Sequence, residues 1–379
     1  MKNGKFTSTI LQMQYVPRWS EYAPRFKDNA ASHSFRCAAI AILIGIIEEK
    51  VFNNPVDKLS LVARALLHDL NETVTSSIKH VTKKDPLVEA HIKSLEKEVS
   101  QDIVSYLSKS LRPYFHDFIV NAEDDSYLGQ LVNAIDEFDA MLFCHREDIS
   151  DNSPYFHEQF IYFHKKIHQS RLQSIKWLVE GFDKREGLYE FIGYILNLDT
   201  VERWNGNFNL IPDNDATHSF RVAALSLFNG LLEQERFGKT EIDVYSLVCK
   251  SILHDLVEVI SGDVISKIKK YTEDIKRSFE LYEKEVASSM VKKLPPLFHE
   301  AIHEFMVECK NDTYEGELVD IADKIDALIK SNLEMRNNPH YASTYFEQLT
   351  SIQHRFENPC VIFFLAYILH DLTYSSFIR

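Results

Sequence analysis

The segment ASHSFRCAAIAILIG, beginning at Ala31, recurs at Ala216 as ATHSFRVAALSLFNG. Further matches follow in the same order. Arg18-Trp19 returns as Arg203-Trp204 and His33 as His218, both displaced by 185. ALLHDLNE returns as SILHDLVE, carrying His68-Asp69 to His254-Asp255 at a displacement of 186. LVNAIDEFDAML returns as LVDIADKIDALI, carrying Asp136 to Asp323 at 187. A displacement that drifts by only two residues over this span marks a duplicated domain rather than a solenoid of short units. Two units of ordinary domain size are expected, 1–185 and 186–379, joined within WLVEGFDKREGLYEF, between roughly 175 and 195.

Both units read as helical. Phe35, Ala38, Ala39, Ile42, Leu43 and Ile46 follow the i, i+3, i+4, i+7 spacing, and Phe220, Ala223, Ala224, Leu227, Phe228 and Leu231 repeat it. Leu131, Ile135, Phe138 and Leu142 form a later stripe, matched by Leu318, Ala322, Ile325 and Ile329. Ser32 and Thr217, just before the histidines, are the expected N-caps. Glycine and proline number 11 each, a low count that favours long helices with short connections. No succession of alternating strands is visible. The predicted fold is all-α: two tandem helical bundles related by internal duplication.

Charge and cysteine usage narrow the function classes. A formal net charge of −14 argues against sequence-independent binding of long nucleic acid, which needs a basic face. A small phosphorylated ligand stays compatible, since a bound cation and a few local basic groups can hold it. Cys37, Cys144, Cys249, Cys309 and Cys360 are scattered without a CxxC pair, which fits a reducing cytoplasm. MKNGKFTSTILQMQY lacks the apolar core of a secretory signal. The longest apolar runs, Cys37 to Ile44 and Cys360 to Leu369, are too short to span a bilayer, so no membrane partner is expected.

A repeat kept for packing alone needs only its apolar letters, yet this one also keeps ligand-type residues. His33, His68, Asp69 and Asp136 in the first unit match His218, His254, Asp255 and Asp323 in the second. Two imidazoles and two carboxylates suit a divalent transition metal with positions left for water and substrate. Glu72 and Glu258 lie one helical turn after His68 and His254, where a carboxylate can orient or deprotonate water. A His-Asp dipeptide alone is weak evidence, for His116-Asp117 and His370-Asp371 also occur. Asp139 and Asp326, three residues beyond Asp136 and Asp323, compete for the ligand role, and periodicity cannot choose between them.

The order H…HD…D resembles the HD-domain metal-dependent phosphohydrolases. The combined motifs RW, SHSF, HDLVE…SGD and IADKIDALI are similar to the bacterial HD-domain 5′-deoxynucleotidases, over nearly all of each unit. The resemblance implies release of phosphate from deoxynucleoside 5′-monophosphates by attack of a metal-activated water. It implies one divalent ion per unit, with cobalt, manganese or magnesium expected and zinc compatible. It favours Asp323 and Asp136 as ligands and gives Glu258, or Glu72, the handling of water. Arg203 and Arg18 would hold substrate, and Trp204 and Trp19 would wall the deoxyribose. Similar single-domain proteins tend to be dimers, so the tandem is expected to form that pair within one chain.

The units differ at one motif. The second reads SGD, Ser261 to Asp263, where the first reads TSS, Thr75 to Ser77, so Ser76-Ser77 replaces the Gly-Asp pair. Similar proteins place an active-site Asp where Asp263 stands. The second unit is therefore expected to carry most of the activity, with the first degenerate or altered in specificity. Lys269 and Lys83 each lie six residues beyond this position, in the basic clusters KIKK and KK. A solvated face is the simpler reading for them and a phosphate contact the functional one. The rival functions are a deoxynucleoside triphosphohydrolase and a nucleotide-binding regulator with one or both sites non-catalytic.

Overall fold

The computed structural model describes residues 3–374 apart from positions 79, 84, 265 and 270. Lys84 and Lys270, members of the two basic clusters, thus lie outside the described residues. Long helices dominate, as expected. In the first repeat they are α1 (Asn3–Gln12), α2 (Ala30–Lys50), α3 (Lys58–Leu67), α4 (Glu89–Ser105), α5 (Tyr127–Asp151), α6 (Pro154–His168) and α7 (Gln173–Asp183). In the second they are α8 (Gly187–Asn197), α9 (Asp215–Phe237), α10 (Val244–Leu253), α11 (Glu273–Lys293), α12 (His299–Met306), α13 (Tyr314–Met335) and α14 (Ala342–Arg355). Single-turn helices, among them Glu72–Thr75 and Glu258–Ser261, lie between them. The one sheet among the described residues pairs Pro17–Arg18 with Asp28–Asn29.

The N-caps of the two motif helices stand three residues earlier than expected. Asn29 caps α2 by accepting from the Ser32 amide at 2.9 Å, and Asn214 caps α9 by accepting from Thr217 at 2.9 Å. An Asn carbonyl at the cap satisfies an otherwise orphaned N–H of the first turn. His33 and His218 consequently sit within the helices, held by a regular backbone. The displaced Ser32 and Thr217 hydroxyls meet each other at 3.1 Å, buried between the repeats.

α2 is long and apolar enough to cross a membrane by length and composition, yet it is buried throughout as a core helix. It packs against α9, its counterpart, so the two motif helices form the centre of the molecule. The first helix of each repeat bridges the two bundles: α1 packs on α9 and the C-terminal turns as well as on α4 of its own repeat, and α8 packs on α2 and α7 as well as on α11 of its own repeat. Phe6 of α1 contacts Phe115 edge-on at 5.0 Å and stacks on Phe228 at 6.1 Å. A single continuous apolar core therefore runs through both repeats.

Candidate active site

Each repeat brings its imidazoles and carboxylates to one end of the paired motif helices. In the first, His33 comes from α2, His68 and Asp69 from the turn ending α3, and Asp136 from α5. His33 Nε2 lies 3.2 Å from His68 Nε2, 3.4 Å from Asp69 and 3.2 Å from Asp136. In the second, His218 Nε2 lies 3.3 Å from His254 Nε2 and 3.4 Å from both Asp255 and Asp323, while His254 Nε2 lies 3.1 Å from Asp255. All eight residues singled out from the sequence thus converge in two four-membered clusters. His116-Asp117 stays outside: Asp117 is held by Arg64.

Proton placement shows what such a cluster lacks. Nδ1 of His33 faces Asp139 at 2.7 Å and Nδ1 of His68 faces the Ala65 carbonyl at 2.9 Å. Nδ1 of His218 faces Asp326 at 2.7 Å and Nδ1 of His254 faces the Ser251 carbonyl at 2.7 Å. Those partners only accept, so each Nδ1 carries the proton of a neutral ring and each Nε2 is left as a lone pair. Two lone pairs and two carboxylates then point at one spot. That arrangement is repulsive unless a cation sits between them, and the donor set is that of a divalent metal site. In the bare chain protons partly take that place. Burial and Arg203 oppose charge on His218, but Asp255, Asp323 and Asp326 outweigh them and hold its pKa well above the usual histidine value. His254, also buried, is lowered.

The ambiguity between neighbouring aspartates is resolved by which ring nitrogen each one meets. Asp139 and Asp326 hold the Nδ1 side and are themselves gripped by Arg36 and Arg221, at 2.6 Å to the guanidinium Nε in both cases. They orient the histidines, whereas Asp136 and Asp323 face Nε2. Both arginines stand in the repeated HSFR phrase, a signal in plain view. Their further anchors, Asp28 and Asp213, carry no motif.

Arginines and lysines expected at the site contact its carboxylates. Arg18 donates to Asp69 at 2.9 Å; Arg203 donates to Asp215 at 2.7 Å and to Asp255 at 3.2 Å. Each guanidinium keeps a buried Nε without a partner. Trp19 and Trp204 adopt left-handed backbone, φ 57° and 62°, an unusual conformation for a bulky residue, which the structure holds at the same place twice. Trp19 stacks on Phe143 at 5.6 Å, and Trp204 lies 5.9 Å from Tyr341. Lys269 donates to Glu258 at 3.2 Å and pairs with Glu283; Lys83 pairs with Glu96 at 2.9 Å and lies 3.6 Å from Glu72. Both lysines therefore face the Glu at the site.

Glu72 and Glu258 each bury an Oε2 without a partner. Burial, and then Asp69, push Glu72 up to about 7; burial, Asp255 and Asp215 push Glu258 up to about 10. Asp215, Glu258 and Asp263 converge in the second repeat. The first has Ala30, Glu72 and Ser77 at those places. Asp215 carries no repeat signal, because its counterpart is Ala30 and the carboxylate is present in only one copy.

The paired Nε2 atoms and carboxylates carried by an all-helical duplication stand in the H…HD…D order of the HD-type metal-dependent phosphohydrolases. The chain belongs to the YfbR-like 5′-deoxynucleotidase family, whose sequence model matches it twice, over residues 5–185 and 190–372. It is similar to a 4′-phosphooxetanocin A phosphatase of Priestia megaterium, 31% identical over 150 residues, 39% of this chain and 75% of the relative. It is also similar to a 5′-deoxynucleotidase of Shewanella oneidensis, 23% identical over 180 residues, 48% of this chain and 92% of the relative. Among solved structures, an HD-domain phosphohydrolase from Listeria innocua aligns with a TM-score of 0.46 at 25% identity, covering 50% of this chain and 90% of its own.

Proposed function

We propose that the chain releases phosphate from deoxynucleoside 5′-monophosphates, with the C-terminal repeat carrying most of the turnover. The observation that carries this reading is the pair of histidine Nε2 lone pairs facing two carboxylates, with every Nδ1 already committed. His218, His254, Asp255 and Asp323 would hold one divalent ion, and His33, His68, Asp69 and Asp136 a second; cobalt, manganese or magnesium fits the family, and zinc fits the donors. Such an ion lowers the pKa of water and offsets phosphate charge. The remaining work falls to side chains. Glu258 is held protonated by burial first and then by Asp255 and Asp215. Neutralising Asp255 with a cation would ease only the second of these, and the unpartnered Oε2 would orient the attacking water or take its proton. Arg203 offers its free Nε–H to a phosphate or sugar oxygen, and Trp204 flanks the sugar.

Asp263, converging with Glu258 and Asp215, supports the stronger role of the second repeat. Ser77 leaves the first with a neutral wall, Glu72 serving there with Arg18, Trp19 and Lys83. Packing of α2 on α9 supports a fused pair that stands in for two subunits. The described cysteines are all free thiols, in keeping with a cytoplasmic location.

Phosphate release from a panel of deoxynucleoside mono- and triphosphates, by Asp255→Ala and Asp69→Ala chains reconstituted with each metal, tests the reading. Asp255→Ala should remove most of the monophosphate activity. Equal losses from the two variants would contradict the asymmetry, and turnover of triphosphates alone would favour the triphosphohydrolase.

A further inference from the structure

The two sites differ in the ionisable residues beside the ligand aspartates. Asp323 presents Oδ1 to His218 Nε2, while its other oxygen, Oδ2, accepts from Lys310 at 2.9 Å and Lys324 at 3.0 Å. Glu123 and Glu137 occupy the corresponding places in the first repeat, at the same displacement of 187 that relates Asp136 to Asp323. The loop bearing the first of these positions has the same form in both copies. A Cβ on Gly129 would fall 2.1 Å from the Asp124 carbonyl, and one on Gly316 would fall 2.2 Å from the Asn311 carbonyl. Ser126 and Thr313 cap the following helices identically, each accepting at 3.1 Å. Equal backbones thus hold a lysine in one site and a glutamate in the other.

This reversal is aimed at the ligand position. Lys310 contacts Asp323 directly, whereas burial, together with the carboxylates of Asp136 and Asp69, pushes Glu123 up to about 7. The lysine side chain is 35% exposed, so its ammonium is reached by solvent. An ammonium has three N–H donors, and the Asp323 oxygen takes one. Since that contact is to Oδ2, Oδ1 stays free for a cation. The Asp323 side chain is 12% exposed beneath the lysines, whereas that of Asp136 is 36% exposed.

We infer that Lys310 is a phosphate-binding residue of the C-terminal site, and that Glu123 in its place turns the N-terminal site against a phosphomonoester dianion. The inference rests on the phosphohydrolase reading for what the cleft receives. It adds the residue that distinguishes the two clefts. In the C-terminal cleft the incoming dianion meets an ammonium with donors to spare, supported by Lys324. In the other the position of Lys310 is taken by Glu123, and that of Lys324 by Glu137, whose charge is paired to Lys166 at 2.7 Å. Opposite charge at contact distance favours one ligand and like charge disfavours it.

The test uses the full chain loaded with manganese and measures both inorganic phosphate binding, by calorimetry, and hydrolysis of a deoxynucleoside 5′-monophosphate. With the N-terminal site disabled by Asp69→Ala, Lys310→Met should weaken phosphate binding about tenfold and raise KM in step, with a smaller change in kcat, and Lys310→Glu should do more. With the C-terminal site disabled by Asp255→Ala, Glu123→Lys should create phosphate binding in the N-terminal site, a gain that loss of folding cannot imitate. Unchanged phosphate affinity and KM in both Lys310 variants, whether or not the chain turns over, would overturn the assignment. Lys310-dependent phosphate binding without hydrolysis would uphold it and sink the phosphohydrolase reading instead.

Discussion

His33 and His218 show how far single residues are legible. Their repetition identified them, as it did His68, Asp69, Asp136 and their counterparts, because ligand-type side chains at matched spacing are not needed for packing. Spacing alone does not separate Asp136 from Asp139, since residues three apart share a helix face; the family resemblance favours Asp136, and in the structure Asp136 meets Nε2 of His33 while Asp139 meets Nδ1. Glu258 yields a prediction at this scale. Its pKa of about 10 lies above the ordinary 4.5, so the folded chain holds an extra proton between those values. Stability is then greatest at the acidic end of that window and falls as pH rises through it. Thermal melts of the metal-stripped Glu258→Gln chain should exceed wild type at pH 9, with the gap closing toward pH 5. A gap independent of pH would rule out this origin.

At the scale of elements, helical spacing predicts α2, α5, α9 and α13, whereas Ser32 and Thr217, the hydroxyl residues that predict the caps, stand inside the first turns. Asn29 and Asn214 were the better caps, and their geometry fixes the first turn that carries each histidine. The turn after the His-Asp pair differs between copies in backbone cost. Gly262 has φ 72°, and Ser76 occupies the same left-handed place at φ 61°. A side chain there is strained, by roughly 1–3 kcal/mol for such conformations. Ser76→Gly should therefore raise the chain's stability in denaturant by about 1 kcal/mol. No gain, or a loss, would show that the serine has compensating contacts.

The whole molecule is more entangled than a tandem of beads, and this was the part least readable beforehand. Duplication reveals two units but not which helix packs where, because apolar stripes on α1 and α8 do not state their partners. The support of His33 and of His218 reaches across the repeats. Arg221, which grips Asp326, accepts help from Gln14 by donating to its side chain at 2.8 Å; Arg36, which grips Asp139, lies 3.5 Å from Asp199. Gln14 and Asp199 are themselves equivalent positions, 185 apart. With one core and reciprocal ties, the repeats should unfold together. Calorimetry of the full chain is expected to give one cooperative transition, and chains of residues 1–185 or 186–379 alone should be unstable and recover on mixing. Two transitions, each kept by an isolated half, would contradict that coupling.

The central claim is that each repeat gathers two imidazoles and two carboxylates around a divalent cation. Titration of the stripped full chain with manganese, read by calorimetry, tests it most directly. Two ions per chain are expected, one after His254→Ala with Asp255→Ala, and none when His68→Ala and Asp69→Ala are added. Stoichiometry that survives all four substitutions would place the metal elsewhere and leave the paired histidines without their cation.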